Sequence, residues 1–200
     1  MKNYLCINGK KTELTKEQMK QLGIVEEPAV SLSKDGKIAK IGEYEFIVLR
    51  NDKSIGTVEL LLKNSICNSA FGNNNDYRES KVRKIVEDFA FKIEDIIGEE
   101  NLIEHNVDLV ALSGLKDFGS IKSKMSLLTF DKARENIETL DKFKLSSYWW
   151  LATALSTKKH EIDYSVVCVS PDGGLGISNS GYSGFGVRPF CIVKSSIFQS

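Results

Sequence analysis

The distribution of apolar and polar residues divides the chain into a short N-terminal segment and a larger body. In residues 1–28, the segments Tyr4–Ile7 and Lys11–Leu14 flank Asn8-Gly9, a dipeptide that favours a tight hairpin turn, and Thr15 with Gln18 matches the capping box of a helix start. The pattern predicts a hairpin followed by a short helix. Because such a unit is too small to fold alone, we interpret it as an attachment element that packs on the main body or on another chain and ends near Glu26-Glu27-Pro28.

The body begins with a pattern typical of strands. Apolar residues on both sides of Gly42-Glu43 predict a second hairpin, and Thr57–Leu62 predicts a further strand. The polar segment 68–76 includes three consecutive asparagines and is predicted to be a surface loop.

Two helices are predicted in the middle of the chain. From about Arg78 to a stop at Gly98, apolar residues recur at helical spacing with charged residues between them. The inner face of this helix would consist of Val82, Ile85, Val86, Phe89, Ile93, Ile96 and Ile97. Val107–Leu112 is predicted as a short strand, and Thr129 with Asp131 predicts the start of a second helix. The inner face of the second helix would consist of Phe130, Ala133, Ile137 and Leu140.

The two tryptophans of the chain are adjacent, in Tyr148-Trp149-Trp150-Leu151. Adjacent side chains of an extended segment point to opposite faces, so Trp149 and Trp150 are not expected to fill the same pocket. One is expected to anchor the core, and the other to cover a second layer or to stay partly exposed as a ligand platform. Two strands around Pro171-Asp172-Gly173-Gly174 and a closing segment Val187–Val193 are predicted to complete the sheet.

Arg188 and Pro189 constrain the closing segment. Because proline lacks a backbone N–H, Pro189 is expected at a sheet edge or a bulge, and Arg188 is pushed towards extended geometry. Two roles remain open for the Arg188 guanidinium, a structural donor to backbone carbonyls or a cation that binds a ligand. The glycines of 181–186 precede a strand rather than a helix, so no phosphate loop is predicted.

Composition excludes several function classes. The 27 Lys and Arg residues balance the 27 Asp and Glu residues among 200, so bulk charge does not recruit nucleic acid. No apolar run approaches the roughly 18 residues that span a bilayer, and no signal-type region develops at the start. We therefore expect cytoplasmic synthesis without a signal peptide, no membrane insertion and no nucleic-acid partner.

Candidate catalytic and metal-binding residues are few. The four cysteines are widely spaced and are expected to be reduced, although Cys168 and Cys191 are candidates for neighbouring strands. His105 and His160 are too few for a three-histidine iron site. We predict no catalytic residue, no metal site and no cofactor.

Several motifs resemble a bacterial and phage domain of uncharacterised function. The most specific are Trp149-Trp150-Leu151 and Gly186-Val187-Arg188-Pro189, supported by Tyr77–Arg83 and Asp108–Ser113. That domain is similar to the C-type-lectin-like fold shared by formylglycine-generating enzymes and the variable receptor-binding proteins of diversity-generating retroelements. The chain departs from the usual pattern at Ala152-Thr153, where the family has a more polar pair.

The resemblance extends over residues 37–194. It implies an α+β, C-type-lectin-like (formylglycine-generating-enzyme-like) domain at residues 37–200, with the hairpin-helix segment 1–28 as an appendage. Trp150, with the closing Arg-Pro pair, would be part of the structural motif of this fold.

The resemblance also implies a role as a non-catalytic binding or assembly module. We expect a structural protein of a phage or phage-like particle, on its tail, baseplate or capsid surface, with residues 1–28 contacting other particle proteins and with self-association between copies. The candidate ligand or partner contacts are Asn179, Tyr182, Phe185 and Trp149, for a cell-surface carbohydrate or protein. Asn179, Tyr182 and Phe185 lie among glycines. The alternative is that these glycine-rich loops only close the sheet and bind nothing.

A second hypothesis is a degenerate or unrecognised enzyme of the formylglycine-generating type. Those enzymes depend on a cysteine pair close together near the C-terminus. Here Cys168 and Cys191 are separated by a whole turn and loop, so the resemblance does not carry the catalytic role to this chain.

Overall fold

The computed structural model describes residues 4–7, 10–15, 18, 22 and 29–199 of the chain. The protein is a mixed α+β structure, as the sequence predicts, and most of its regular structure lies in sheets. The α-helices of residues 29–199 are α1 (Lys81–Ile97), α2 (Phe130–Glu135) and α3 (Ile137–Lys142). None of the helices in the described part of the chain has the length and apolar character needed to cross a membrane.

Sixteen strands are present in the described residues. In chain order they are β1 (Tyr4–Ile7), β2 (Lys10–Glu13), β3 (Val30–Leu32), β4 (Ile38–Ile41), β5 (Tyr44–Asp52), β6 (Thr57–Leu62), β7 (Cys67–Asn68), β8 (Leu102–Ile103), β9 (His105–Asp108), β10 (Ser120–Ser123), β11 (Met125–Ser126), β12 (Trp149–Ala154), β13 (Ser165–Val169), β14 (Leu175–Asn179), β15 (Gly186–Val187) and β16 (Phe190–Lys194).

Two sheets make up most of the body. The large sheet has seven strands in the order β11-β16-β6-β5-β4-β3, with β8 also paired to β16, and all its neighbours are antiparallel. The small sheet has five strands in the order β14-β13-β12-β15-β7, with β12 and β15 parallel. The predicted hairpin β4–β5, the strand β6 and the pair β13–β14 are confirmed.

The prediction of a single closing strand is wrong in one respect, because residues 187–193 are divided between two strands. β15 belongs to the small sheet and β16 to the large sheet, so the chain changes sheets at Arg188-Pro189. Pro189 cannot donate to a ladder, which interrupts pairing at this point. Its carbonyl oxygen still accepts from the Leu62 amide at 2.8 Å, and this bond joins the switch point to the end of β6.

The long amphipathic helix is confirmed as α1. It begins after Ser80, whose Oγ accepts a hydrogen bond from the Arg83 amide at 3.1 Å, and it ends at Gly98, which has a φ of 85°. Its buried side chains are Val82, Val86, Phe89, Ala90, Ile93 and Ile97. They pack in the main core with side chains of both sheets.

The second predicted helix is divided in two. Asn136 has non-helical backbone angles, and its Nδ2 donates to the Lys132 carbonyl at 2.9 Å, so its side chain competes with the helical ladder. Ala133 and Leu140 are buried as predicted, whereas Ile137 is partly exposed. The short strand also differs from prediction, since β9 covers residues 105–108 and ends before most of the predicted segment.

The segment 68–76 is not a simple surface loop. Asn75 is 2 % exposed, and its Nδ2 lies 3.0, 3.2 and 3.1 Å from the carbonyl oxygens of Ser156, Ile162 and Ser165. Buried polar groups need hydrogen-bond partners, and the Asn75 amide supplies donors to these three carbonyl oxygens. This asparagine therefore fastens the segment to the loop between β12 and β13.

The N-terminal segment is described only in part. β1 and β2 pair antiparallel, as the predicted hairpin requires. The capping box is also confirmed, with the Thr15 amide 2.9 Å from Gln18 Oε1 and the Gln18 amide 3.2 Å from Thr15 Oγ1. The turn residues Asn8-Gly9 and the boundary Glu26-Glu27-Pro28 lie outside the described residues.

Candidate binding surface

An exposed aromatic cluster lies where the loop before β15 meets the start of β12. Tyr148 and Phe185 are stacked with their ring centroids 4.9 Å apart, and Tyr182 meets Phe185 edge to face, also at 4.9 Å. Tyr148 is 42 % and Tyr182 55 % exposed, whereas Phe185 is 8 % exposed. We call these three residues the aromatic face.

The buried Trp150 supports the aromatic face from below. The Trp150 ring lies 4.5 Å from the Phe185 ring and is fully buried, and it also packs against Phe71. Its Nε1 donates to the Ser69 carbonyl at 2.9 Å, so the indole N–H is satisfied. The surface tyrosines are thus supported by a chain of ring contacts that reaches the main core.

The loop before β15 is shaped by local hydrogen bonds and by a close approach. Asn179 Oδ1 accepts from the Gly181 amide at 2.9 Å, and its carbonyl oxygen accepts from the Tyr182 amide at 3.0 Å. At Gly184, a Cβ atom would lie only 2.8 Å from the Tyr182 ring. Glycine at this position therefore allows the tyrosine to fold back towards Phe185.

The structure brings together only part of the predicted contact set. Tyr182 is exposed beside Phe185, and Asn179 is exposed but uses its side-chain oxygen for the turn. Trp149 is 2 % exposed, so in this conformation it has almost no surface to offer as a ligand platform. Tyr148 was not among the predicted contacts, although strand alternation places it on the same side of β12 as Trp150.

Trp149 and Trp150 enter different cores, as the alternation predicts. Trp150 belongs to the main core, whereas Trp149 packs in a second core that includes Leu151 and Leu140. Ala152 and Thr153 lie within a register shift between β12 and β13. There Thr153 Oγ1 accepts from the amide at the start of α2 at 2.8 Å.

Arg188 is buried against Trp149. Its guanidinium lies 4.9 Å from the centroid of the Trp149 ring system, and its Nε donates to the Leu62 carbonyl at 2.7 Å. Nη2 lies 3.0 Å from the Lys63 carbonyl oxygen and 3.3 Å from that of Phe143. Burial lowers the pKa of Arg188 to about 10, which leaves it protonated at neutral pH. These contacts correspond to the first of the two roles, a structural donor to backbone carbonyls. Through them Arg188 connects the sheet switch to the end of β6 and to the residue after α3.

A second polar arrangement lies beside β16. His105 Nε2 is 3.1 Å from Ser126 Oγ, and the imidazole packs edge to face on Phe190. Burial lowers the pKa of His105 below its usual 6.5, so the ring is neutral near pH 7. Ser126 is 1 % exposed, so almost none of its surface is open to solvent.

The cysteines do not form a reactive pair. Cys168 lies in the small sheet and Cys191 in the large sheet, so the prediction of neighbouring strands is wrong. Burial raises the pKa of Cys168 to about 11 and that of Cys191 to about 12, which keeps both as thiols. Among the described residues, no group of three or more His, Cys, Asp or Glu side chains could hold a metal ion.

Residues 110–195 match the family model of a domain of unknown function, DUF6273. The matched segment includes the aromatic face, both tryptophans and Arg188, but not α1 or strands β1 to β9. The C-terminal part of the chain is therefore similar to this domain. No curated protein and no solved structure matches the chain.

Proposed function

We propose that this protein is a non-catalytic binding module with a C-type-lectin-like fold, which uses the aromatic face to contact a protein or carbohydrate. The observation that carries the proposal is the pair of exposed tyrosines, Tyr148 and Tyr182, held against Phe185 above the buried Trp150. Tyrosine gives a large contact area at low conformational-entropy cost, and its hydroxyl adds a hydrogen-bonding group. Such preorganised aromatic anchors are typical of binding surfaces.

The order of elements supports the fold part of the proposal. After β6 come the short strand β7, α1, the short strands β8 to β11, the helices α2 and α3, and then β12 with the Tyr-Trp-Trp-Leu run. β13 leads into the Asp-Gly turn and β14, and the Gly-Val-Arg-Pro segment leads into the last strand, β16. The resemblance to C-type-lectin-like proteins rests on a simpler order, with two helices and a single short strand between them before the Tyr-Trp-Trp-Leu run. The chain follows that order but has four short strands there and a divided second helix.

We place this activity in a phage or phage-like particle, as a tail, baseplate or capsid-surface protein. This placement rests on the resemblance, and residues 1–28 would provide the attachment. The expected result of deleting residues 1–28 is a chain that folds but does not join the particle. Incorporation of the truncated chain at the normal level would overturn the attachment role.

Binding by the aromatic face is tested with the full chain on an array of bacterial cell-surface glycans and on intact bacterial cells. The double variant Tyr148→Ala/Tyr182→Ala should lower binding by about tenfold or more. Tyr164→Ala is the matched control, because Tyr164 is 50 % exposed and lies outside the aromatic face. The control should bind as the parent does.

Two results would contradict this proposal. One is the absence of binding to every glycan and every cell surface tested. The other is a loss of binding in the Tyr164 variant as large as in the double variant, because the effect would then not belong to the aromatic face.

A further inference from the structure

A groove of about 620 Å³ lies between the β4–β5 hairpin, the connection from β6 to β7, and α1. Its volume is within the range of roughly 300 to 1,000 Å³ found for ligand sites. None of the residues of the aromatic face lines it. The groove is therefore a separate surface, and an inference about it goes beyond the proposed function.

The base of the groove is apolar. Tyr44 and Phe89 meet edge to face with their centroids 4.9 Å apart, and Leu62, Ile66 and Ile85 are also among the lining residues. Leu62 and Phe89 are buried, while the other three are partly exposed. This base can accept an apolar side chain and remove it from water.

The rim of the groove carries more negative than positive charge. Glu43 and Asp88 are exposed on opposite walls, one on the hairpin turn and the other on α1. No cation lies within ion-pair distance of either carboxylate among the described residues, whereas Glu45 is paired with Lys63 at 2.7 Å. Lys92 is the basic residue of the lining. Glu43 shares a hydrogen bond with Tyr44, but neither carboxylate has an ion-pair partner among the described residues, and this favours a cationic ligand.

One end of the groove is a strand edge. Cys67 lines the groove and belongs to β7, which is the last strand of the small sheet. An extended peptide can add to such an edge through main-chain hydrogen bonds while its alternate side chains enter neighbouring pockets. The rim residues Glu43, Asn64, Cys67 and Asp88 are all exposed, so the groove is accessible along its length.

We propose that this groove binds an extended segment of a partner protein in which basic and large apolar side chains alternate. The apolar side chains occupy the base at Tyr44 and Phe89, and the basic side chains meet Glu43 and Asp88. The peptide backbone lies beside β7.

The probe for this proposal is the peptide acetyl-(Lys-Leu)₃-amide, compared with acetyl-(Glu-Leu)₃-amide and acetyl-(Lys-Ser)₃-amide. The readout is the alkylation rate of individual cysteines in the full chain, followed by peptide mapping. Cys67 in the groove and Cys6 outside it are both exposed, whereas Cys168 and Cys191 are buried. At a saturating concentration of the probe, the alkylation rate of Cys67 should fall at least about fivefold. The alkylation rate of Cys6 should not change. The two comparison peptides should give weaker protection.

Charge variants give a second, independent test. The double variant Glu43→Gln/Asp88→Asn should weaken binding of the probe about tenfold, equivalent to about 1.4 kcal/mol. Asp95→Asn is the matched control, because Asp95 is exposed on α1 but does not line the groove. Its affinity should stay that of the parent, and exposed acidic positions are not expected to affect folding.

The proposal is overturned if millimolar probe leaves Cys67 unprotected or protects Cys6 equally. It is also overturned if the glutamate peptide protects Cys67 as well as the lysine peptide does, or if Asp95→Asn weakens binding as much as the groove variant. These results do not depend on the aromatic face, so the two proposals succeed or fail separately.

Discussion

The two sides of β12 show how neighbouring residues in one strand acquire different roles. On one side, Trp150 contacts Phe185, which in turn carries the exposed tyrosines. On the other side, Trp149 lies in the second core under the buried guanidinium of Arg188. The Trp150 side connects the core to exposed side chains at the surface. The Trp149 side is fully covered, and we call it the closed side. The difference shows that side-chain type alone does not decide whether an aromatic residue is available for binding.

Removing the support of the aromatic face should have the largest effect on stability. Trp150→Ala is expected to lower the free energy of unfolding by about 3 to 5 kcal/mol, because it removes a fully buried indole and a satisfied N–H. Chemical denaturation measures the change. A loss below about 1 kcal/mol would mean that this side of β12 is not a packed core.

Arg188 tests the closed side. Arg188→Met should cost about 2 to 4 kcal/mol, because it leaves the carbonyl oxygens of Leu62, Lys63 and Phe143 without a donor. The stability of Arg188→Lys should lie between that of the parent and that of the methionine variant, since lysine keeps the charge but loses the planar set of donors. If methionine were as stable as arginine, the three hydrogen bonds would not be stabilising the sheet switch.

A double-mutant cycle distinguishes the two tryptophans directly. The coupling energy between Arg188→Met and Trp149→Phe should be about 0.5 to 2 kcal/mol, because the guanidinium lies 4.9 Å from that ring system. The matched cycle with Trp150→Phe should give a coupling near zero. Equal couplings would show that the two sides of β12 do not act independently.

The exposed tyrosines should contribute little to folding. Tyr148→Ala and Tyr182→Ala are each expected to change the free energy of unfolding by less than about 1 kcal/mol, because both rings are only partly buried. Phe185→Ala should cost more than either, since Phe185 packs on Trp150. A larger loss for the tyrosines than for Phe185 would assign them a structural role.

The smallest expected effect is a dependence of stability on pH through His105. Burial lowers the pKa of His105 in the folded state, although the Ile103 carbonyl and Glu59 act in the opposite direction. The unfolded chain therefore binds the proton more tightly, and the stability contribution is present above the unfolded pKa and is lost as pH falls below about 6.5. Thermal unfolding of His105→Gln from pH 7.5 to 5 should show a smaller decline than the parent. A decline as steep as that of the parent would contradict this role of His105.

Local periodicity was enough to predict several elements. The apolar spacing of α1, the β4–β5 hairpin and the capping box at Thr15 are each set by residues near one another in sequence. The separation of Trp149 from Trp150 also follows from alternation along a strand. Each of these features is encoded within a short window.

Other features depend on contacts between distant residues. The burial of Asn75 requires carbonyl oxygens more than eighty positions away, and a run of asparagines gives no local sign of it. Tyr148 became part of the candidate site because its ring stacks on Phe185. The binding groove likewise combines the β4–β5 hairpin with α1.

The sequence by itself determined the α+β class, the amphipathic helix and the opposite facing of the two tryptophans, because spacing along the backbone controls these properties. Only the tertiary structure decided that the closing segment changes sheets at Arg188-Pro189 and that Trp149 is covered rather than exposed. The physical reason is that strand pairing and burial depend on partners supplied from elsewhere in the chain. For Arg188, those partners are carbonyl oxygens at the end of β6 and after α3.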